Sequence, residues 1–182
     1  MSHAGRALID PFSIFAKIGL VKGMKVADMG CGRTGHFVFP AARIVGDTGI
    51  VYAVDILKEV LETINSWVKT HALSNIQIVW SDIEVPNKTP IPPKSLDMCF
   101  FMNVLYGIKN KQATLTEAAR LLKDDGQMVV MDWSKKLGTL GPTDDAMVAP
   151  NKLAEVATQC GLKLIQTILV TDYHYCLIFK KI

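Results

Sequence analysis

No C-x-x-C pair occurs in the sequence, and Cys31, Cys99, Cys160 and Cys176 stand far apart, each in an apolar neighbourhood. That spacing gives neither a zinc ribbon nor a disulfide framework, so all four read as reduced, buried cysteines of a cytosolic protein. No run approaches the ~18 consecutive apolar residues of a membrane span. Asp10, Pro11 and Lys17 interrupt the first apolar residues, so no secretory leader is legible and the expected location is cytoplasmic. A dominant charge is missing as well. The 20 Lys+Arg against 17 Asp+Glu leave a net charge of +3 with no basic run, which argues against nucleic acid as the main partner. His3, His36, His71 and His174 show no metal-ligand spacing, so no metal site is expected. Proline gathers only at Pro86–Pro93, short enough for a loop, and no internal repeat or low-complexity tract occurs.

Apolar residues make up 49% and charged residues 20%, a balance that excludes disorder and requires a large core. The 182 residues fit a single domain over 1–182, which should bury roughly 70% of the unfolded chain's surface without staples. β-rich runs occur at Lys25–Met29, Ile50–Asp55, Ile76–Trp80, Leu96–Met102, Gln127–Asp132, Leu164–Val170 and Tyr173–Phe179. Helical spacing relates Leu57, Val60, Leu61, Ile64 and Val68, then Leu115, Ala118, Ala119 and Leu122, then Leu153, Val156, Ala157 and Cys160. Strand and helix in alternation imply parallel pairing by right-handed crossovers, hence an α/β sheet with helices on both faces. The last two runs break the alternation. Only Thr171-Asp172 separates them, which is hairpin spacing, so the final strand should run antiparallel to its neighbour.

The chemistry concentrates in Val26-Ala-Asp-Met-Gly-Cys-Gly-Arg-Thr-Gly35. A strand runs into glycines at G-x-G-x-x-G spacing, and a helix should follow from about His36. Such a loop lets a ligand lie directly on backbone N–H groups at a helix N-terminus. Asp55 ends the second strand, and its two acceptor oxygens suit the two hydroxyls of a ribose. Together these features point to an adenosine-containing ligand. Asp28 narrows the choice. Beside a pyrophosphate, a carboxylate would meet a like charge, a repulsion of about 4 kcal/mol near ~4 Å at an effective dielectric of ~20. S-adenosylmethionine carries no phosphate, and its sulfonium and ammonium groups would be attracted by the same carboxylate. Cys31 has no neighbouring base in the sequence and reads as a small residue packed beneath the loop.

These residues resemble the class I S-adenosylmethionine-dependent methyltransferases, in particular the small single-domain branch related to the ubiquinone/menaquinone-biosynthesis type. The likeness covers nearly the whole chain. Asp10–Met24 resembles that branch's entry helix, Val26–Gly35 its first motif, Val51–Asp55 its second and Ser81-Asp-Ile83 its adenine-contact motif. Leu96–Asn103, Leu121–Trp133 and Tyr173–Phe179 resemble its fourth, fifth and seventh strands. The resemblance implies a Rossmann-like seven-stranded sheet of order 3-2-1-4-5-7-6 with strand 7 antiparallel. It further implies that Asp28, Gly30, Cys31, Gly32 and Gly35 surround the methionine part of S-adenosyl-L-methionine. Asp55 would hold the ribose, and Ile56 would pack on the adenine. Asp82 would accept its amino group, Ile83 would offer a backbone contact, and Asn103 would lie near the methionine moiety or the acceptor. Methyl transfer would be an in-line displacement that leaves S-adenosyl-L-homocysteine.

Two departures stand out. Arg33 takes a loop position where relatives carry a small residue, and Val104-Leu-Tyr-Gly107 contains no histidine or acid that could serve as a base. The catalytic residues and the methyl acceptor therefore stay open, with a small molecule favoured over RNA or protein, and an oligomer is compatible with the sequence. A nicotinamide-dependent oxidoreductase and a non-catalytic S-adenosylmethionine-binding module remain as alternatives.

Overall fold

The computed structural model describes residues 9–182, so His3 lies outside the described residues. Their first element, α1 (Pro11–Ile18), starts where a helix should. Asp10 accepts the Phe12 and Ser13 N–H groups, Pro11 fills the first turn, and Gly19 closes the helix in the left-handed region at φ 77°. There follow β1 (Lys25–Met29), α2 (Val38–Val45), β2 (Ile50–Asp55), α3 (Lys58–Thr70), β3 (Ile76–Trp80) and β4 (Leu96–Met102). A 3-10 turn (Leu105–Gly107), α4 (Lys111–Leu121), β5 (Leu122–Trp133), α5 (Pro150–Gln159), β6 (Leu162–Thr171) and β7 (His174–Lys181) complete the order.

The strands of the described residues form one sheet of order β3-β2-β1-β4-β5-β7-β6. β1 to β5 pair in parallel, and β7 runs antiparallel to both β5 and β6. Alternation along each strand divides the core in two. On β4, Met98, Phe100 and Met102 join Phe15 of α1, Val38 and Ala41 of α2 and Ile64 of α3. Cys99 and Phe101 of the same strand face Leu115 and Ala118 of α4 and Leu153 and Ala157 of α5. Helices thus cover both faces, and the buried central strands carry near-continuous apolar runs for that reason.

The bounds of β5, β6, β7 and α2 differ from the sequence reading: β6 starts earlier, at Leu162, and β7 ends later, at Lys181. β5 begins at Leu122 and not at Gln127, because Leu96 pairs with Leu122 before the register shifts; the exposed Asp124 and Asp125 hide that start from any hydrophobic pattern. The hairpin turn is Asp172-Tyr173 rather than Thr171-Asp172, since Thr171 still pairs with His174 and its hydroxyl accepts the Tyr173 N–H. α2 begins at Val38 and not at His36. Between β3 and β4 the chain is irregular, and the buried Glu117 of α4 ties it down. Glu117 accepts the N–H groups of Asn87 at 2.8 Å and Thr89 at 3.0 Å and pairs with Arg120 at 2.7 Å. Of the cysteines, Cys31, Cys99 and Cys176 are buried, but Cys160 is half-buried at the end of α5, where its sulfur accepts from Thr116 Oγ1.

Candidate functional site

The loop after β1 is fastened to β2 by backbone bonds, Gly30 N–H and Cys31 N–H both donating to Val54 O at 2.8 and 3.0 Å. Gly30 sits at φ 82°, and a Cβ there would lie 2.8 Å from Val104 Cγ2, so the turn after β4 packs directly on the loop. Gly32, at φ 66°, is different: a Cβ would meet nothing within 4 Å. Its free side faces open space beside Asp55. Asp55 Oδ2 accepts the Gly32 N–H at 3.1 Å and Oδ1 accepts the Leu57 N–H at 3.0 Å. A carboxylate can take about four hydrogen bonds, so both oxygens keep capacity for a diol.

Asp28, near the tip of β1, is 2% exposed, and no hydrogen-bond donor reaches its carboxyl among the described residues. Burial first, and the nearby Asp55 charge second, push its pKa up to about 8. The charge invoked from sequence is therefore largely absent near pH 7 in the protein alone. What the geometry provides is a buried, unshared carboxyl that a ligand cation would ionise by offsetting its desolvation. The same burial, with Asp28 and Asp55 adding to it, pushes the Cys31 thiol up, so this buried residue is a poor nucleophile.

Beyond Asp55 the surface turns apolar and open. Ile56 is 51% exposed, and its carbonyl accepts the Trp80 indole N–H at 2.9 Å. The sequence reading missed Trp80, whose ring also lies 5.8 Å from the Lys58 ammonium. Asp82, half-buried, spends Oδ1 on the Glu84 N–H at 3.0 Å, and Ile83 is buried beside it. Together Ile56, Trp80, Asp82 and Ile83 surround one end of the carboxyl edge.

At the other end, Asn103 follows β4 in the left-handed region at φ 58°. Its N–H donates to Met131 O at 2.8 Å, and its Oδ1 is buried without a partner. No acid occurs in the turn that follows, but the fold brings one from β5. Asp132 accepts the Tyr106 N–H at 3.1 Å and the Trp133 N–H at 2.8 Å. Its burial outweighs these bonds and raises its pKa to about 6. A strand-end carboxyl at that position was the one further signal in the sequence. Nearby, Trp133 is buried against His174, Tyr175 is buried with its hydroxyl on Val148 O, and Tyr173 is half-buried near Lys135. Arg33 lines a separate groove of about 450 Å³ with Glu59, Glu62, Thr63, Ser66 and Trp67. The structure thus brings Asp28, Gly30, Gly32, Asp55 and Asn103 to one edge of the sheet, with Ile56, Asp82 and Ile83 extending it. Gly35 lies behind, where a Cβ would be 2.5 Å from the Phe39 ring.

Among the described residues, no group of three or more His, Cys, Asp or Glu is arranged to hold a metal ion. No described helix is long and apolar enough to cross a membrane.

Residues 20–174 match the family described as "Methyltransferase domain". The chain is 28% identical over 137 residues to aklanonic acid methyltransferase DauC of Streptomyces sp. (strain C5), covering 74% of this chain and 60% of that protein. It is 31% identical over 120 residues to the ubiquinone/menaquinone biosynthesis C-methyltransferase UbiE of Haemophilus ducreyi, covering 65% of this chain and 45% of that one. It therefore spans about half the length of such relatives. The fold superimposes on a SAM-dependent methyltransferase from Aquifex aeolicus with TM-score 0.90 and 22% identity, over 100% of this chain and 94% of the other. A geranyl diphosphate C-methyltransferase from Streptomyces coelicolor, solved with S-adenosyl-L-homocysteine, matches with TM-score 0.75 and 12% identity, over 94% and 79%.

Proposed function

The chain belongs to the methyltransferase-domain family, in its class I, S-adenosylmethionine-dependent form, and from that membership we propose that it transfers a methyl group from S-adenosyl-L-methionine to a small organic acceptor. The observation that carries the reading is the pairing of a buried, donor-free Asp28 with an Asp55 that grips Gly32. The names of the relatives, an aklanonic acid methyltransferase and ubiquinone/menaquinone C-methyltransferases, support a small acceptor.

The residues fit S-adenosylmethionine on three counts: an unshared carboxyl, an open glycine face and an unpaired buried amide oxygen on Asn103. In this reading Asp28 takes the ammonium group, and Gly30, Cys31 and Gly32 line the amino-acid end with their backbone. Gly35 lies behind the loop against Phe39, three residues before α2 begins. Asp55 holds the ribose hydroxyls, while Ile56, Asp82 and Ile83 receive the adenine, and Asn103 borders the methyl end. When bound, S-adenosylmethionine supplies an electrophilic methyl group on a sulfonium. The acceptor's nucleophilic atom bonds to that carbon as the carbon–sulfur bond breaks, and its electron pair leaves on the sulfur of S-adenosylhomocysteine. The protein's part is to position and desolvate the two partners. The chain acts as a single domain over 1–182, in the cytoplasm, without a metal.

A nicotinamide dinucleotide fits less well, because its pyrophosphate would keep Asp28 protonated and leave it without a cationic partner. Incubation of the protein with methyl-labelled S-adenosylmethionine and a small-molecule extract tests the proposal. Label should appear in a compound below the protein's own mass, with equimolar S-adenosylhomocysteine. Cofactor binding without any transfer across extracts would instead support the non-catalytic module.

A further inference from the structure

Among the described residues, two side-chain atoms closed off from solvent have no hydrogen-bond partner: Asn103 Oδ1 and His174 Nε2. Leaving such an atom unpaired is costly, and native proteins rarely do so without cause. The two are not scattered. Asn103 follows β4 and is tied to Met131 of β5, while His174 opens β7 opposite Trp133 of β5. Both lie at the carboxyl edge of the parallel strands, the edge that carries Asp28 and Asp55 and where open α/β sheets bind ligands. One strand separates them, so their backbones are roughly 10 Å apart, two strand spacings. A molecule of one ring, hydrogen-bonded on two sides, spans that distance.

The surroundings say what His174 can offer. Thr171 Oγ1 accepts the Tyr173 N–H and lies 3.1 Å from His174 Nδ1. Where the Thr171 hydroxyl donates its hydrogen to Nδ1, the proton of the neutral ring sits on Nε2. Burial holds the imidazole pKa near 4, so the ring is neutral across the physiological range. The imidazole packs against the Trp133 ring at 4.2 Å between centroids. Gly141, in the irregular stretch between β5 and α5, rests on that indole.

We propose that His174 is an acceptor-binding residue whose Nε2–H donates to an oxygen of a neutral, ring-bearing methyl acceptor, with Trp133 beside the ring and Asn103 at its far side. The inference rests on the methyl-transfer reading of the same edge and adds the chemistry of the acceptor to it. A cationic acceptor would find a donor where it needs an acceptor, and a purely hydrocarbon one would leave Nε2 unpaired.

The test uses the full chain saturated with S-adenosylhomocysteine and phenol as the probe, followed by proton–nitrogen NMR of the imidazoles. Phenol should shift the His174 Nε2–H resonance saturably, and toluene, the same ring without oxygen, should not. His174→Phe should weaken phenol binding about fivefold, the worth of one neutral hydrogen bond. His174→Gln, which keeps a donor, should recover most of that loss and covers the case in which the phenylalanine variant does not fold. Equal phenol affinity in wild type and a folded His174→Phe variant, or a toluene response matching phenol, overturns the proposal. Failure of S-adenosylhomocysteine to bind the wild type would overturn the methyl-transfer reading itself, a result distinct from loss of the phenol response.

Discussion

Asp55 Oδ2 accepts the Gly32 N–H at 3.1 Å, so the carboxylate that ends β2 is built into the loop that ends β1. One side chain thereby sets the loop's shape and presents its remaining lone pairs to a ligand. The sequence assigns Asp55 to a ribose. The structure gives it a further, local duty, since it also accepts the N–H of Leu57 at the cap position of α3.

Asp55→Ala should therefore do more than remove a ligand contact. Loss of two backbone bonds to a buried carboxylate should lower stability by about 1–3 kcal/mol. Loss of the ribose contact and the loop's shape should weaken S-adenosylhomocysteine binding by at least about tenfold. Urea denaturation and calorimetry measure the two effects separately; unchanged stability would mean that the loop holds its shape without Asp55.

Asp28 links binding to pH. Its pKa in the folded protein is raised to about 8 from an ordinary 3.8, so the unfolded chain loses this proton first. The sign follows: this group's contribution to stability is complete below about pH 4 and declines as pH rises through 8. A ligand ammonium reverses the preference by favouring the carboxylate. Near pH 7, S-adenosylhomocysteine should release close to one proton, and its affinity should climb by up to about tenfold per pH unit until about pH 8. Calorimetry in buffers of different ionisation enthalpy reads the proton count. Asp28→Asn should abolish the release and weaken S-adenosylmethionine and S-adenosylhomocysteine alike, because both carry the ammonium group.

The two loop glycines should respond differently to alanine. Gly30→Ala drives a Cβ to 2.8 Å from Val104, and the clash plus the positive φ should cost about 1–3 kcal/mol of stability. Gly32→Ala meets no protein atom within 4 Å, so its stability cost should be limited to backbone strain of roughly 1 kcal/mol. Its methyl group would instead occupy the ligand's side of the loop. Thermal unfolding with and without S-adenosylhomocysteine should show the larger ligand-induced loss at Gly32.

Glu117 is a buried anchor remote from the glycine loop, paired with Arg120 and with two backbone N–H groups. Those partners hold its carboxyl below the usual range in spite of burial, so its stabilisation is present at neutral pH and lost as pH falls through the lowered value. Glu117→Ala should destabilise by about 3–5 kcal/mol by leaving the Arg120 charge without its carboxylate and the two N–H groups unpaired. Denaturation curves from pH 7 downward should show the wild-type advantage narrowing only as pH falls below the ordinary glutamate range.

Much of this molecule is legible before folding. β1 to β4 follow the β-rich runs residue for residue because their apolar residues fill both faces of a buried sheet. The glycine loop and Asp55 are legible because turn geometry restricts which residues can stand there. Other contributions have no local trace. Trp80 is a polar-edged aromatic on an edge strand until its indole is seen on Ile56 O, and Asp132 reaches the turn after β4 only through the pairing of β4 with β5. The pKa of Asp28 is likewise a property of the packed sheet, which is why its charge could not be judged from sequence.

The central claim is that this edge of the sheet binds an S-adenosyl ligand, and ligand-dependent melting with S-adenosylmethionine, S-adenosylhomocysteine and NAD side by side tests it most directly. Both S-adenosyl ligands should raise the melting temperature, in line with about 2.7 kcal/mol of stabilisation at a concentration of about 100 Kd, and NAD should leave it unchanged. A shift with NAD alone would contradict the account.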